Sequence, residues 1–209
     1  MKITNHLLSG ARLELIPGGA KMETRRFLVM HYTAGMTAMS SIEFWRSPEA
    51  DGANAHVVID RDGTLYQCRP FDRTAGHAGV SQWRHNGVLY EGINRCGIGI
   101  ELANAGDCIK GGKLFGKYAG NPIATAAHKW EPKKQKSWEQ FSSAQIAVCK
   151  EISALIVKTY NLDDVVGHED IAPPGLRKRG DWKPDPGPLF PMAELRAHCG
   201  FHQPLAKLF

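Results

Sequence analysis

The segment Val166-Gly167-His168-Glu169-Asp170-Ile171-Ala172-Pro173, followed by Lys183-Pro184-Asp185-Pro186-Gly187-Pro188, decides how this chain is read. Val165 and Val166 make a short strand that delivers His168 into a loop stiffened by prolines. Prolines restrict the backbone that carries the loop's side chains, and a metal loses affinity when its ligands wander. A histidine, a lysine and an aspartate held in this way are the side-chain types that a catalytic zinc site uses to hydrolyse an amide. A third candidate ligand, His31, stands far upstream, at the end of an apolar run over residues 26–32. That run is dense in strand formers and reads as a buried strand.

Working outward, residues 38–47 form a short helix with Ile42 and Trp45 on one side. Residues 55–60 and 64–69 flank Arg61-Asp62-Gly63, and a D-G turn between two such runs signals a hairpin. Gly97–Leu102 (GIGIEL) is a central strand whose glycines permit close approach of a neighbour. Residues 107–137 are rich in Gly and Lys without a clear period, and read as a long loop. The clearest helix is Ser143–Tyr160. Ser142 and Gln145 give it a capping box, and Ile146, Cys149, Ile152, Ile156 and Tyr160 give it one apolar stripe. Strands interspersed with helices imply an α/β (α+β) fold, a single domain over 1–209 with a central mixed β-sheet flanked by helices. The candidate ligands then lie at strand ends and loops on one side of that sheet.

The 209 residues suffice for one domain with a sizeable core and are short for two. Hydrophobic and charged contents of 43% and 22% place the chain among ordinary globular proteins. No apolar run reaches the roughly 18 residues of a membrane span, so no membrane insertion is expected. The first ten residues have one lysine and no continuous apolar core, which makes a poor signal peptide. A cytoplasmic location is therefore expected. Cys68, Cys96, Cys108, Cys149 and Cys199 are odd in number, scattered, and free of any CxxC pair. Buried free thiols are the expectation. A net charge of +5 favours an acidic partner, either nucleic acid or an anionic cell wall. Much of the excess falls in residues 129–136 and 177–183, and a solvated basic face explains the first patch equally well.

Six motifs occur in order: His31-Tyr32-Thr33-Ala34, His56 to Gly63 (HVVIDRDG), Gly76-His77-Ala78-Gly79, Gly97–Leu102, Gly167 to Pro173, and Lys183 to Gly187. This order resembles the zinc-dependent N-acetylmuramoyl-L-alanine amidases of the AmpD, phage-lysozyme and peptidoglycan-recognition-protein superfamily, over about 26–196. The resemblance implies that His31, His168 and Asp185 bind one catalytic Zn2+. A catalytic zinc takes three N and O ligands of this kind, leaves a position for water and lowers that water's pKa to about 7. Glu101 matches the family's catalytic glutamate, which takes the water's proton and passes it to the leaving amine. Lys183 matches the lysine that stabilises the oxyanion. His77 matches the segment lining the substrate groove. The implied substrate is peptidoglycan or a muropeptide, cut between the lactyl group of N-acetylmuramic acid and L-alanine. Such an enzyme serves muropeptide recycling, or cell-wall lysis when released as a phage or prophage endolysin.

Blander readings stand beside these. A histidine after an apolar strand is more often structural than a ligand, and Lys183 with Asp185 also fits a solvated turn. His56 reads as a hydrogen-bonded core histidine, while His6, His85, His128, His198 and His202 match no motif and read as surface residues. Trp83, Trp130, Trp138 and Trp182 are candidates for stacking on sugar rings, although packing is the commoner fate of tryptophan. Gly76 stands where the family has a tryptophan, and Arg177, Lys178 and Arg179 enlarge the loop between the last two ligands. One alternative is a non-catalytic peptidoglycan-binding module, which would usually lack part of the metal triad. A nucleic-acid-binding domain is suggested by charge alone, with no helix-turn-helix, finger or RNP pattern, so no nucleic-acid partner is expected. Oligomeric state is left open.

Overall fold

The computed structural model describes residues 1–107, 109–110, 113–114, 121–177 and 181–205. Cys108, Lys178 and Arg179 lie outside the described residues. The centre is a six-stranded mixed sheet in the order Asp164–Gly167, Phe27–Tyr32, Gly97–Leu102, Val57–Ile59, Leu65–Gln67, Arg12–Leu13. The first four run parallel, and the Asp60 to Thr64 turn makes the fifth antiparallel to its neighbour. Fold class, central strand and hairpin follow the expectations above. Every residue of Phe27–Tyr32 is buried, as a parallel strand covered on both faces requires.

Alternation within the strands separates two faces. Leu28, Met30, Ile98, Ile100, Leu102 and Val165 join one core with Cys149, Ile152 and Ile156 of helix α2 (Ser143–Tyr160). Phe27, Val29 and Val166 face the other way, into a second core with Ala78, Trp83, Ile93 and Ile171. Helix α1 (Ala38–Arg46) covers Val58 and Ala103 in a third cluster. The α2 stripe is the expected one, with Ile146 and Tyr160 partly buried at its ends. Its capping box is formed: Gln145 N donates to Ser142 Oγ at 3.0 Å and Ser142 N to Gln145 Oε1 at 3.1 Å. Gln145 then reaches inward and donates to the Ala103 carbonyl at 2.9 Å, which ties the helix start to the sheet.

The long loop expected over 107–137 is corrected for its described residues. Ile123–Ala127 and Gln135–Glu139 pair antiparallel as a ribbon, and Ile109–Lys110 pairs with Lys113–Leu114. The strands IATAA and QKSWE lack a β-branched run, so composition hides the pairing. Trp138 and Glu139 anchor the ribbon by burial. A further hairpin, absent from the expectations above, joins Gln82–His85 to Val88–Glu91. Asn86 and Gly87 both take left-handed φ values there, 48° and 80°, which is the conformation that an N-G turn favours.

Four described cysteines are free: Cys68, Cys96 and Cys149 are buried and Cys199 is half-buried. No described helix is long and apolar enough to cross a membrane.

Candidate active site

Three adjacent parallel strands end on the same side of the sheet, and each delivers one functional group. His31 is the penultimate residue of Phe27–Tyr32 and stands in register with Glu101 of Gly97–Leu102. Gly167 of Asp164–Gly167 pairs with Met30 and leads directly into helix α3 (His168–Ile171), which opens on His168. This is the crevice beyond the carboxyl ends of parallel strands where α/β sheets take ligands. Asp185 arrives from the proline-bearing loop. The Asp185 carbonyl accepts from Glu169 N at 2.8 Å, and Lys183 N donates to the Ala172 carbonyl at 3.1 Å. Gly167 leaves room for that loop, since a Cβ there would lie 2.8 Å from Pro186 Cδ.

His31 Nδ1 lies 3.0 Å from His168 Nδ1 and 2.8 Å from Asp185 Oδ2, and His168 Nδ1 lies 3.0 Å from the same oxygen. All three residues are buried. Burial works against charge on Asp185, yet His168 and His31 override it and hold the carboxyl well below the usual range. Burial, then the neighbouring His168, pushes His31 down to about 4, so its imidazole is neutral at pH 7. Two imidazole nitrogens and one carboxylate oxygen therefore converge on one point. Two imidazoles and a carboxylate this close together are a donor set that fits a divalent metal cation.

Glu101 borders the same cavity, with Oε2 buried and without a hydrogen-bond partner. Burial first, then the Asp185 charge, raises its carboxyl well above the ordinary range, while Lys183 acts in the opposite sense. The cavity holds about 730 Å³, within the range of ligand pockets, and Lys183, Asn54, Asn94 and Arg177 also line it. His77 borders the cavity too, but its ring lies behind His31. Its Nδ1 is 3.0 Å from His31 Nε2, and its Nε2 donates to the Gly97 carbonyl at 3.0 Å. His56 is the core histidine expected, donating to the Arg73 carbonyl and accepting from Gly99 N.

Other expectations need correction. His128 is buried rather than at the surface, with Nε2 2.5 Å from Glu169 Oε2 and its ring 4.4 Å from that of Trp182. Lys129 pairs with Glu169 and Asp170, and Trp130 Nε1 donates to the Glu169 carbonyl at 3.0 Å. The tip of the ribbon thus grips the turn carrying His168, and the first basic patch is in part a set of internal ion pairs. Trp83 and Trp138 are packed in the interior. The tryptophan that lines the cavity is Trp45, a residue of α1. Gly76 has a backbone reason: a Cβ there would meet the Gly52 carbonyl at 2.3 Å.

Residues 21–188 match the family model described as N-acetylmuramoyl-L-alanine amidase. The 1,6-anhydro-N-acetylmuramyl-L-alanine amidase AmpD of Escherichia coli is 31% identical over 148 residues, 68% of this chain and 56% of that protein. The N-acetylmuramoyl-L-alanine amidase AmiD of Escherichia coli is 33% identical over 192 residues, 85% of this chain and 58% of that protein. The chain spans just over half the length of these curated relatives. A structure of E. coli AmiD with the substrate anhydro-N-acetylmuramic acid-L-Ala-D-gamma-Glu-L-Lys aligns with a TM-score of 0.61 at 27% identity, over 88% of this chain and 60% of that one. With the family model matched over residues 21–188, a span that includes His31, Glu101, His168 and Asp185, the chain belongs to the N-acetylmuramoyl-L-alanine amidase family.

Proposed function

We propose that this chain is a single zinc amidase domain that hydrolyses the amide between the lactyl group of N-acetylmuramic acid and L-alanine of the stem peptide. The observation that carries the reading is the convergence of His31 Nδ1, His168 Nδ1 and Asp185 Oδ2 within 3.0 Å of one another, beside a buried and unpartnered Glu101 oxygen. His31, His168 and Asp185 would hold a zinc ion, which would supply the Lewis acidity for hydrolysis at neutral pH. Glu101 takes the proton from the attacking water on Oε2. Its raised basicity makes it a competent acceptor, and the same proton then goes to the nitrogen of the leaving L-alanine. The C–N bond breaks, leaving a lactyl carboxylate and a free amine. The Lys183 ammonium faces the cavity and stabilises negative charge as it develops on the carbonyl oxygen. The cavity walls are polar enough to hold a sugar–peptide junction, with Asn54, Asn94 and Arg177 offering hydrogen bonds.

The relatives direct the choice of substrate. AmpD is named for the 1,6-anhydro form, and AmiD was captured with an anhydro-muropeptide. The zinc-loaded protein is therefore offered a soluble anhydro-muropeptide and intact peptidoglycan side by side, with and without a chelator. Chelator-sensitive release of stem peptide is expected from the soluble substrate, and release from intact wall as well would assign a lytic role. No cleavage of either with zinc present would overturn the amidase reading.

A further inference from the structure

The segment Gly76-His77-Ala78 touches both histidines of the metal triad from behind. The His77 ring meets His31, and the Ala78 carbonyl accepts from His168 Nε2 at 3.2 Å. Asn94 clamps the segment: its Oδ1 accepts from His77 N at 3.1 Å and from Ala78 N at 2.7 Å.

Proton positions follow along this chain of contacts. The Gly97 carbonyl has only lone pairs, so His77 Nε2 carries a proton and donates to it. The His77 ring is buried, and its two nitrogens face His31 and the Gly97 carbonyl rather than a carboxylate that could balance a charge, so it is the neutral imidazole and its Nδ1 is a bare acceptor. His31 must therefore place its own proton on Nε2, facing His77, which leaves Nδ1 as a lone pair facing Asp185 and His168. The Ala78 carbonyl does the same for His168: it accepts from Nε2, which leaves Nδ1 as the nitrogen able to offer a lone pair to a cation. The alternation in Gly97–Leu102 now has a cause. Gly97, Gly99 and Glu101 share a strand face, and the His77 ring lies on Gly99, where a Cβ would come within 2.5 Å of His77 Cγ.

We infer that the His77-Ala78 segment, clamped by Asn94, sets the tautomer of both histidine ligands, and that His77 is a positioning residue acting through His31. A partner on the far nitrogen of a ligating histidine fixes its ring and raises its basicity, and losing such a partner costs roughly 10- to 100-fold in metal affinity.

This inference rests on the zinc reading above, and its test separates the two. Zinc affinity of the metal-stripped full chain is measured by competition with a chromophoric chelator, for wild type, His77→Ala, His77→Asn and His77→Gln. Asparagine sets its amide oxygen near the position of Nδ1 and can accept from His31, whereas glutamine reaches the position of Nε2 instead. Wild type and His77→Asn are expected to bind within a few-fold of each other, while His77→Ala and His77→Gln bind roughly 10- to 100-fold more weakly. Should the alanine variant fail to fold, the Asn-against-Gln difference decides. Equal affinity in all folded variants, or equal weakening by Asn and Gln, would overturn the role of His77 while leaving the zinc site intact. A wild type that binds no zinc would instead bring down the metal reading itself.

Discussion

The two faces of the central sheet are built from the same strands and do opposite work. Toward α2, Ile98, Ile100 and Leu102 interlock with Cys149, Ile152 and Ile156 in an apolar core. On the other face of the same six-residue strand, Gly97 leaves space for Ile93 and Gly99 for His77, and Glu101 enters the cavity. One face is filled to exclude water along its length, while the other, apolar around Phe27, Val29 and Val166, opens at the carboxyl ends of the strands so that polar groups can converge. Because neighbouring residues point to opposite faces, packing and chemistry can be perturbed separately.

The sharpest break is expected from Glu101→Gln. It should lower turnover by roughly 100- to 10,000-fold while zinc binding and thermal stability stay near wild type. Lys183→Ala should cost roughly 100- to 1000-fold, mainly in kcat, since it removes charge stabilisation that the substrate needs only as it reacts. Near-full activity in either variant, measured as stem-peptide release at saturating zinc, would remove that residue from the chemistry.

On the opposite face, Ile152→Ala empties part of a fully buried position. A loss of about 2–5 kcal/mol in unfolding free energy is expected by denaturant titration, with turnover per folded molecule unchanged. If turnover fell as steeply as stability, the independence of the two faces would be refuted.

A smaller effect tests the histidines behind the site. Burial, opposed by its bond to the Arg73 carbonyl, holds His56 down at about 4 against the ordinary 6.5. A folded value below the unfolded one means that protonation favours the unfolded chain. The contribution is complete above pH 6.5 and is lost as the pH falls toward about 4, amounting to about 3 kcal/mol at full loss. His56→Gln cannot titrate, so its stability should depend less steeply on pH between 4 and 6.5. Parallel pH profiles for the two proteins would exclude His56 as a source.

Much of this architecture was legible. The strand carrying His31, the D-G hairpin, the capping box of α2 and the loop carrying Lys183 and Asp185 each announce themselves through short-range patterns. The Asn86-Gly87 hairpin was equally readable. The ribbon over 123–139 was not, because its strands carry no clean alternation and its anchor, His128, finds Glu169 41 residues away. Trp45 was hidden for the same reason: a helix residue becomes part of a cavity wall only once α1 is laid on the sheet.

What the chain settles by itself is local. Alternation and capping assign each strand residue to a face and start α2 at Ser143, since both depend on atoms only a few residues apart. The tertiary structure alone decides which nitrogen of His31 faces the metal position, because that choice belongs to His77, 46 residues further along, and to Gly97, whose carbonyl orients the His77 ring. An imidazole offers two nearly equivalent nitrogens, and only a neighbour with a fixed donor or acceptor character tells them apart.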